Sequence, residues 1–164
     1  MVRRVHSGAL TALMLLANAP VQAATQPEHF FVGRLESSGT LKVIFRASET
    51  VTDHGTGRTE ADGVTVLDQI VERPGEAPRR RVWRLQQVSP GKVSGTLSGA
   101  DGPVVGDYVG GVLRLRYTMA DGVHVDQRLT FAADGRSASN QMTFRKFGFN
   151  VATLKGTIRK LDDK

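Results

Sequence analysis

The sequence of 164 residues predicts an all-β fold, a single antiparallel up-and-down β-barrel of eight or nine strands. Three observations carry that expectation. Apolar residues recur at every second position in short runs, the period of a strand with one buried face. The tripeptide Ala-Asp-Gly occurs four times, at 61–63, 100–102, 120–122 and 133–135, and Asp-Gly favours hairpin turns because glycine reaches positive φ without strain. No stretch after the N-terminal segment keeps a helical period for three turns. Short consecutive connections favour neighbouring antiparallel strands, and closing so many of them into a barrel removes exposed edges. A β-sandwich is the alternative. The irregular spacings of the four tripeptides, 39, 20 and 13 residues, mark turns and not a repeat architecture.

Residues 1–23 read as an N-terminal signal helix. Arg3 and Arg4 precede an apolar stretch, Ala9–Val21, too short to span a bilayer, which takes roughly 20 residues. Val21-Gln22-Ala23 follows with a small residue for a signal peptidase, so cleavage is expected after Ala23 or Ala24. Residues 24–28 read as a flexible leader and 29–164 as the barrel domain. The chain has no cysteine, which excludes a thiol-linked lipid anchor and disulfide staples. Taking 23 residues from 164 leaves 141, enough for one domain with its own core. Loss of Arg3 and Arg4 leaves 20 Lys+Arg against 16 Asp+Glu, a net charge of about +4 in place of +6. That mild excess suits anionic headgroups and falls short of a nucleic-acid footprint. The expected location is periplasmic or secreted.

The strands are expected over 29–37, 40–51, 63–72, 79–88, 92–99, 109–119, 122–132, 139–147 and 150–161. Leu113, Leu115 and Tyr117 alternate with Arg114, Arg116 and Thr118. Val123, Val125, Leu129 and Phe131 alternate with His124, Asp126, Arg128 and Thr130. Leu41, Val43 and Phe45 stand opposite Lys42 and Arg46. Residues 52–63, polar and glycine-rich, and 99–111, with five glycines and Tyr108, read as two longer loops. Asn140–Asn150 reads as the penultimate strand turning at Gly148 into the last, its aromatic residues in structural positions.

Few chemistries find support. There is no thiol and no Gly-x-Ser-x-Gly elbow, and Ser98 sits in a hairpin context. His29, His54 and His124 show no metal-ligand spacing, so neither a metal nor a cofactor is expected. Asp53-His54 reads as part of a solvated turn. The cluster Arg79, Arg80, Arg81 and Arg84 surrounds the only tryptophan, Trp83. It suits either an anion site or a charged strand edge. Lys146 shares the face of Phe144, so by parity it points into the barrel, where it needs an anion.

The motifs FFVGRLE, RRRVWRL, VSGTLSGADGPVVGDYVGGVLRLRYTM and NQMTFRKFGFNVATLKGTIRK, in that order, resemble the bacterial domain-of-unknown-function family numbered 3833. The resemblance covers residues 30–160. It rests on Gly33, Arg81, Val82, Trp83, Gly95, Gly106, Gly110, Tyr117, Asn140, Lys146, Phe147 and Gly148. It implies a calycin or lipocalin-like barrel, an envelope protein and, by gene association alone, lipids. No biochemical activity carries over. Two departures stand out: the acylated cysteine of the family is missing, and Gln127-Arg128-Leu129 replaces an Asp-Asp-Trp motif. The favoured function is therefore binding of a hydrophobic or amphiphilic small molecule, such as a fatty acid or lipid. Trp83, Tyr108, Tyr117 and Phe144 would line or gate the pocket, and Arg81 and Lys146 would meet an anionic head. The alternatives are an enzyme acting on a modified lipid through Asp126 or His124, and a filled barrel that serves only as an interaction protein at the envelope or membrane surface.

Overall fold

A computed structural model describes residues 27–162 of the chain. The signal peptide expected over 1–23 and the first part of the leader lie outside the described residues. Pro27–Phe31 form a single 3-10 turn, and ten strands follow. They are β1 (Gly33–Val43), β2 (Glu49–Thr59), β3 (Thr65–Glu72), β4 (Arg79–Ser89), β5 (Lys92–Leu97), β6 (Val104–Val109), β7 (Val112–Thr118), β8 (His124–Phe131), β9 (Ser137–Lys146) and β10 (Phe149–Lys160). Each pairs antiparallel with its sequence neighbours, and β1 also pairs with β10, so the meander closes into a barrel. No edge of these ten strands is left open, so none offers a template for pairing with another chain.

The barrel and its antiparallel order agree with expectation, but the strand number is ten and not eight or nine. The added strand is β6, and the first two strands are displaced: the turn expected at 38–39 lies inside β1, and the chain turns over 44–48 instead. The stretch read as a loop over 52–63 is mostly β2. Its inward residues include Val51, Asp53, Gly55 and Gly57, so alternation is real but chemically masked. The stretch read as a loop over 99–111 contains β6, whose inward positions are Val104, Gly106 and Tyr108. By contrast, the Ala-Asp-Gly turns stand where hairpins require them. In three of the four, an Asp Oδ1 accepts the backbone N–H two residues on: Asp62 from Val64, Asp121 from Val123 and Asp134 from Arg136. Their glycines Gly63, Gly122 and Gly135 have φ of 81°, 82° and 65°.

The core runs down the barrel axis. Leu35, Leu67, Trp83, Leu85, Val93, Leu97, Val104, Leu113, Leu115, Tyr117, Val125, Leu129, Met142 and Ile158 form one buried cluster. The intervening positions carry Glu36, Lys42, Arg58, Arg114, Arg116, Arg128 and Arg159, all exposed. This charged outer face lacks the apolar band of a membrane-spanning barrel. Among the described residues no helix is long and apolar enough to cross a membrane.

The two ends differ. At the base, where β1 begins and β10 ends, the 3-10 turn tucks Phe30 and Phe31 under the core. Phe30 packs on Phe131 at 4.9 Å and Phe31 on Phe131 at 6.4 Å, ring centre to ring centre. The leader expected over 24–28 gives its last two residues, Pro27 and Glu28, to this buried turn. At the mouth lie the turns between β1 and β2, β3 and β4, β5 and β6, β7 and β8, and β9 and β10.

Candidate functional site

The interior holds a polar seam on one wall and aliphatic side chains on the other. The seam begins at Trp83 on β4. Its indole Nε1 donates to Gln69 Oε1 on β3 at 2.7 Å. Gln69 Nε2 donates to Asp53 Oδ1 on β2 at 3.1 Å. Ser37 on β1 donates to the other Asp53 oxygen. Strand register explains the assembly: Gly55 pairs with Gln69, Leu67 with Trp83, and Ser37 with Asp53. Residues far apart in sequence thus converge because they occupy inward positions on four successive strands.

Burial pushes the Asp53 carboxyl above its ordinary value, and the hydrogen bonds from Ser37 and Gln69 and the charges of His54 and Arg81 only partly offset it. A second polar group faces the seam. Tyr117 stacks edge-to-face on Trp83 at 5.3 Å. Its hydroxyl makes a long 3.5 Å contact to Gln127 Oε1, and Gln127 Nε2 donates to Asn140 Oδ1 at 3.0 Å. Burial raises the Tyr117 phenol above its usual range, with Arg81 pulling weakly the other way.

Arg81 is the exception in this network. It is half-buried, lines the interior cavity and acts electrostatically on both Asp53 and Tyr117. Yet its guanidinium has no hydrogen-bond or ion-pair partner among the described side chains, whereas Arg80 and Arg84 on the outer face pair with Asp68 and Glu60. The strand period divides the arginine cluster: the two outward members form surface pairs, and Arg81 faces in with its donors free.

The cavity between the two walls has a volume of about 80 Å³. That is room for several waters, well short of the roughly 300–1,000 Å³ of a pocket that encloses a drug-sized ligand. Phe31 floors it, and Leu67, Leu115, Leu129 and Met142 supply apolar wall.

The structure distributes the six residues singled out from sequence. Arg81 and Trp83 line the cavity, and Tyr117 lies buried against Trp83. Tyr108 is at the base, 6.0 Å from Phe131, and borders a separate surface groove with His29 and Phe30. Phe144 packs on the core beneath the mouth, opposite Val125 and Ala152. Lys146 does not point into the barrel as parity suggested: at the last position of β9 it stands on the mouth rim, with its ammonium 5.8 Å from the centre of the exposed Phe147 ring, and it does not line the cavity. The acid–base candidates sit outside the interior: Asp126 pairs with Arg145, and His124 Nδ1 lies 2.9 Å from Thr118 Oγ1. Among the described residues no cluster of three His, Asp or Glu could hold a metal.

Asp53, read from sequence as part of a solvated turn, instead faces inward on β2, and Gln69, Gln127 and Asn140 join it inside without having been expected as site residues. Counting by two from Val51 through Asp53 to Gly55 would have found the first. The other three occupy apolar-parity positions in strands already expected.

The sequence matches the family described as "Protein of unknown function (DUF3833)" over residues 15–160, and the chain belongs to that family. Among solved structures it is similar to the S-type phycobiliprotein lyase CPES from Guillardia theta, with a TM-score of 0.68, at 12% identity over 84% of this chain and 92% of that one. It is also similar to Rv2717c from M. tuberculosis, with a TM-score of 0.61, at 17% identity over 88% of this chain and 99% of that one. At such identities the likeness is one of fold, and it bears out the lipocalin-like barrel. No curated protein matches the chain.

Proposed function

We propose that the barrel is a binding module for a small amphiphile, held with its anionic or acceptor-rich end on Arg81 and its apolar part against Leu67, Leu115 and Met142. One observation carries this reading: an inward arginine without a protein partner, over a cavity that is otherwise apolar or internally satisfied. A half-buried cation without a partner is costly, and a guanidinium matches carboxylates and phosphates in two-point contacts. Asp53 is the acid nearest in the network, but its oxygens are taken by Ser37 and Gln69 and it makes no ion pair with Arg81 among the described residues. A fatty acid or lipid meets the same requirement. Its chain exceeds the present cavity, so it would enter by moving Met142 and Leu115 or by leaving its tail at the mouth.

The cavity size favours a second reading, a filled barrel that acts only through its surface. One experiment separates the two. Native mass spectrometry of the protein isolated from its producing cells is expected to show an added small-molecule mass that denaturation releases. Arg81→Met should lower its occupancy by about 10–100-fold, the worth of a charged hydrogen bond of roughly 1.5–3 kcal/mol. A bare mass, with a crystal structure holding only water inside, would establish the filled barrel.

We further propose that residues 1–23 direct export and are removed. The supporting features are Arg3 and Arg4, the short apolar stretch and Ala23. The mass of the isolated protein should place its first residue at Ala24 or Thr25; a chain retaining Met1 and found only in the cytosol would overturn this.

A further inference from the structure

The mouth carries a feature that interior binding does not use. Phe45 is 101% exposed, Phe147 86% and Phe149 74%. Ile44 beside them is also exposed. The turn from Asn140–Asn150 was expected to hold its aromatic residues in structural positions; Phe144 does so, but Phe147 and Phe149 point into solvent. The reason is the tight hairpin: with Lys146 paired to Phe149, only Phe147 and Gly148 remain at its tip. The β1–β2 turn is its neighbour, since Val43 pairs with Ala152 and Ile44 N donates to Val151 O at 3.0 Å. Three exposed rings therefore stand on two adjacent turns at the same end of the barrel.

Backbone geometry separates this from chance exposure. Phe45 and Phe147 are the only non-glycine residues with positive φ among those described, at 59° and 52°. Left-handed backbone costs a residue with a side chain roughly 1–2 kcal/mol; the Phe45 ring is fully exposed, and the Phe147 ring has only the Lys146 ammonium over it at 5.8 Å. Charge adds a second, independent observation. Residues 42–48 and 144–151 contain Lys42, Arg46, Arg145 and Lys146 and no acid. Arg145 is engaged by Asp126, while Lys42, Arg46 and Lys146 have no ion-pair partner among the described residues. Aromatic rings at a tip, ringed by cations, suit the boundary of a bilayer with anionic headgroups: the rings enter the interface and the cations stay at phosphate level.

We propose that the mouth of the barrel docks on an anionic membrane surface through Phe45, Phe147 and Phe149, with Lys42, Arg46 and Lys146 on the headgroups. The contact would face the interior cavity toward the bilayer. It stands independently of interior binding, because none of these six residues lines the cavity.

The test uses the full chain carrying Phe147→Trp. The native indole, Trp83, is buried inside the barrel, so it serves as a shielded reference. With vesicles of phosphatidylglycerol and phosphatidylcholine in equal parts, brominated in the acyl chains, the introduced tryptophan should shift to the blue and be quenched. Unsubstituted protein should show little quenching. Adding Arg46→Gln and Lys146→Gln should weaken vesicle binding by roughly 30-fold, at about 1 kcal/mol per cation, and pure phosphatidylcholine should bind comparably weakly. Three results would overturn the proposal. Vesicle binding without quenching would place the contact elsewhere on the chain. A blue shift that follows protein concentration in the absence of lipid would assign the tip to a second copy. Neither binding nor quenching would leave the surface to a protein partner.

Discussion

The two ends of the barrel use phenylalanine in opposite ways. At the base, Phe30 and Phe31 are 7% and 5% exposed, and with Phe131 they form a sealed aromatic floor. At the mouth, Phe45, Phe147 and Phe149 are held in solvent, two of them on left-handed backbone. Burying a phenylalanine contributes roughly 1.5–3 kcal/mol. The base recovers this amount twice, while the mouth recovers none and bears conformational cost as well. Stability and exposure of the same residue type are thus segregated along one axis. The base accounts for how the barrel closes, and the mouth is where a function that requires exposure would sit.

The largest expected effect comes from unseating the floor. Gly57 on β2 faces the 3-10 turn, and a Cβ there would lie 1.7 Å from the Phe31 carbonyl oxygen. Backbone cannot accommodate that approach. Gly57→Ala should expel the turn and forfeit the burial of both phenylalanines, roughly 3–6 kcal/mol, read as a fall in the urea midpoint. Phe31→Ala tests the same floor with the turn left in place. A loss of about 3–5 kcal/mol is expected, combining lost transfer and the cavity left behind. If both variants unfold like the native protein, the base is not what closes the barrel.

These contrasts also show what was legible from sequence. Strands whose inward residues were Leu, Val or Tyr, such as β7 and β8, announced themselves by alternation. So did the Ala-Asp-Gly turns, because the chemistry of a turn is local. Strand β2 did not, since its inward set includes Asp53, Gly55 and Gly57, which signal a loop when read alone. Their reason lies on other strands: Asp53 meets Ser37 and Gln69, and Gly57 admits Phe31. The arginine cluster around Trp83 was visible as a cluster, open between an anion site and a charged strand edge, without a sign of which member faces in. Nor could the sequence show that Arg80 and Arg84 have partners and Arg81 has none, because Asp68 and Glu60 are set opposite them only by tertiary register. For Phe147, the sequence indicated a corner at Gly148 but not which way the rings turn.

Between floor and mouth, Asp53 offers a pH-dependent test of the interior. Its folded pKa is raised above the ordinary value of 3.8. The folded state therefore holds the proton more tightly than the unfolded chain does. The stability this contributes is complete below the unfolded pKa and is lost as pH rises through the folded one. Asp53→Asn keeps a neutral oxygen to accept from Gln69 Nε2, places an amide N–H2 where the Ser37 hydroxyl can turn to accept, and removes the titration. The variant should gain on the native protein in urea unfolding as pH goes from about 4 to about 7. A difference that stays flat across that window would mean that folding leaves the Asp53 pKa unchanged, with the charge of Arg81 among the effects that offset its burial.

The smallest effect is the most discriminating for the mouth, because its sign is reversed. Phe45→Gly removes a ring that packs on nothing and relieves a left-handed backbone that costs roughly 1–2 kcal/mol. Against this stands the greater freedom of glycine in the unfolded chain, roughly 0.5–1 kcal/mol. The net expectation is a gain of about 0.5–1 kcal/mol, seen as a higher urea midpoint with an unchanged slope. At the base, truncating Phe31 should move the midpoint the other way. A loss of stability in Phe45→Gly would mean that the ring finds packing within the protein in solution, and the mouth would then belong to the same structural economy as the base. A gain, accompanied by weaker binding to anionic vesicles, would identify Phe45 as a residue the fold holds out at its own expense for contact with a surface beyond it.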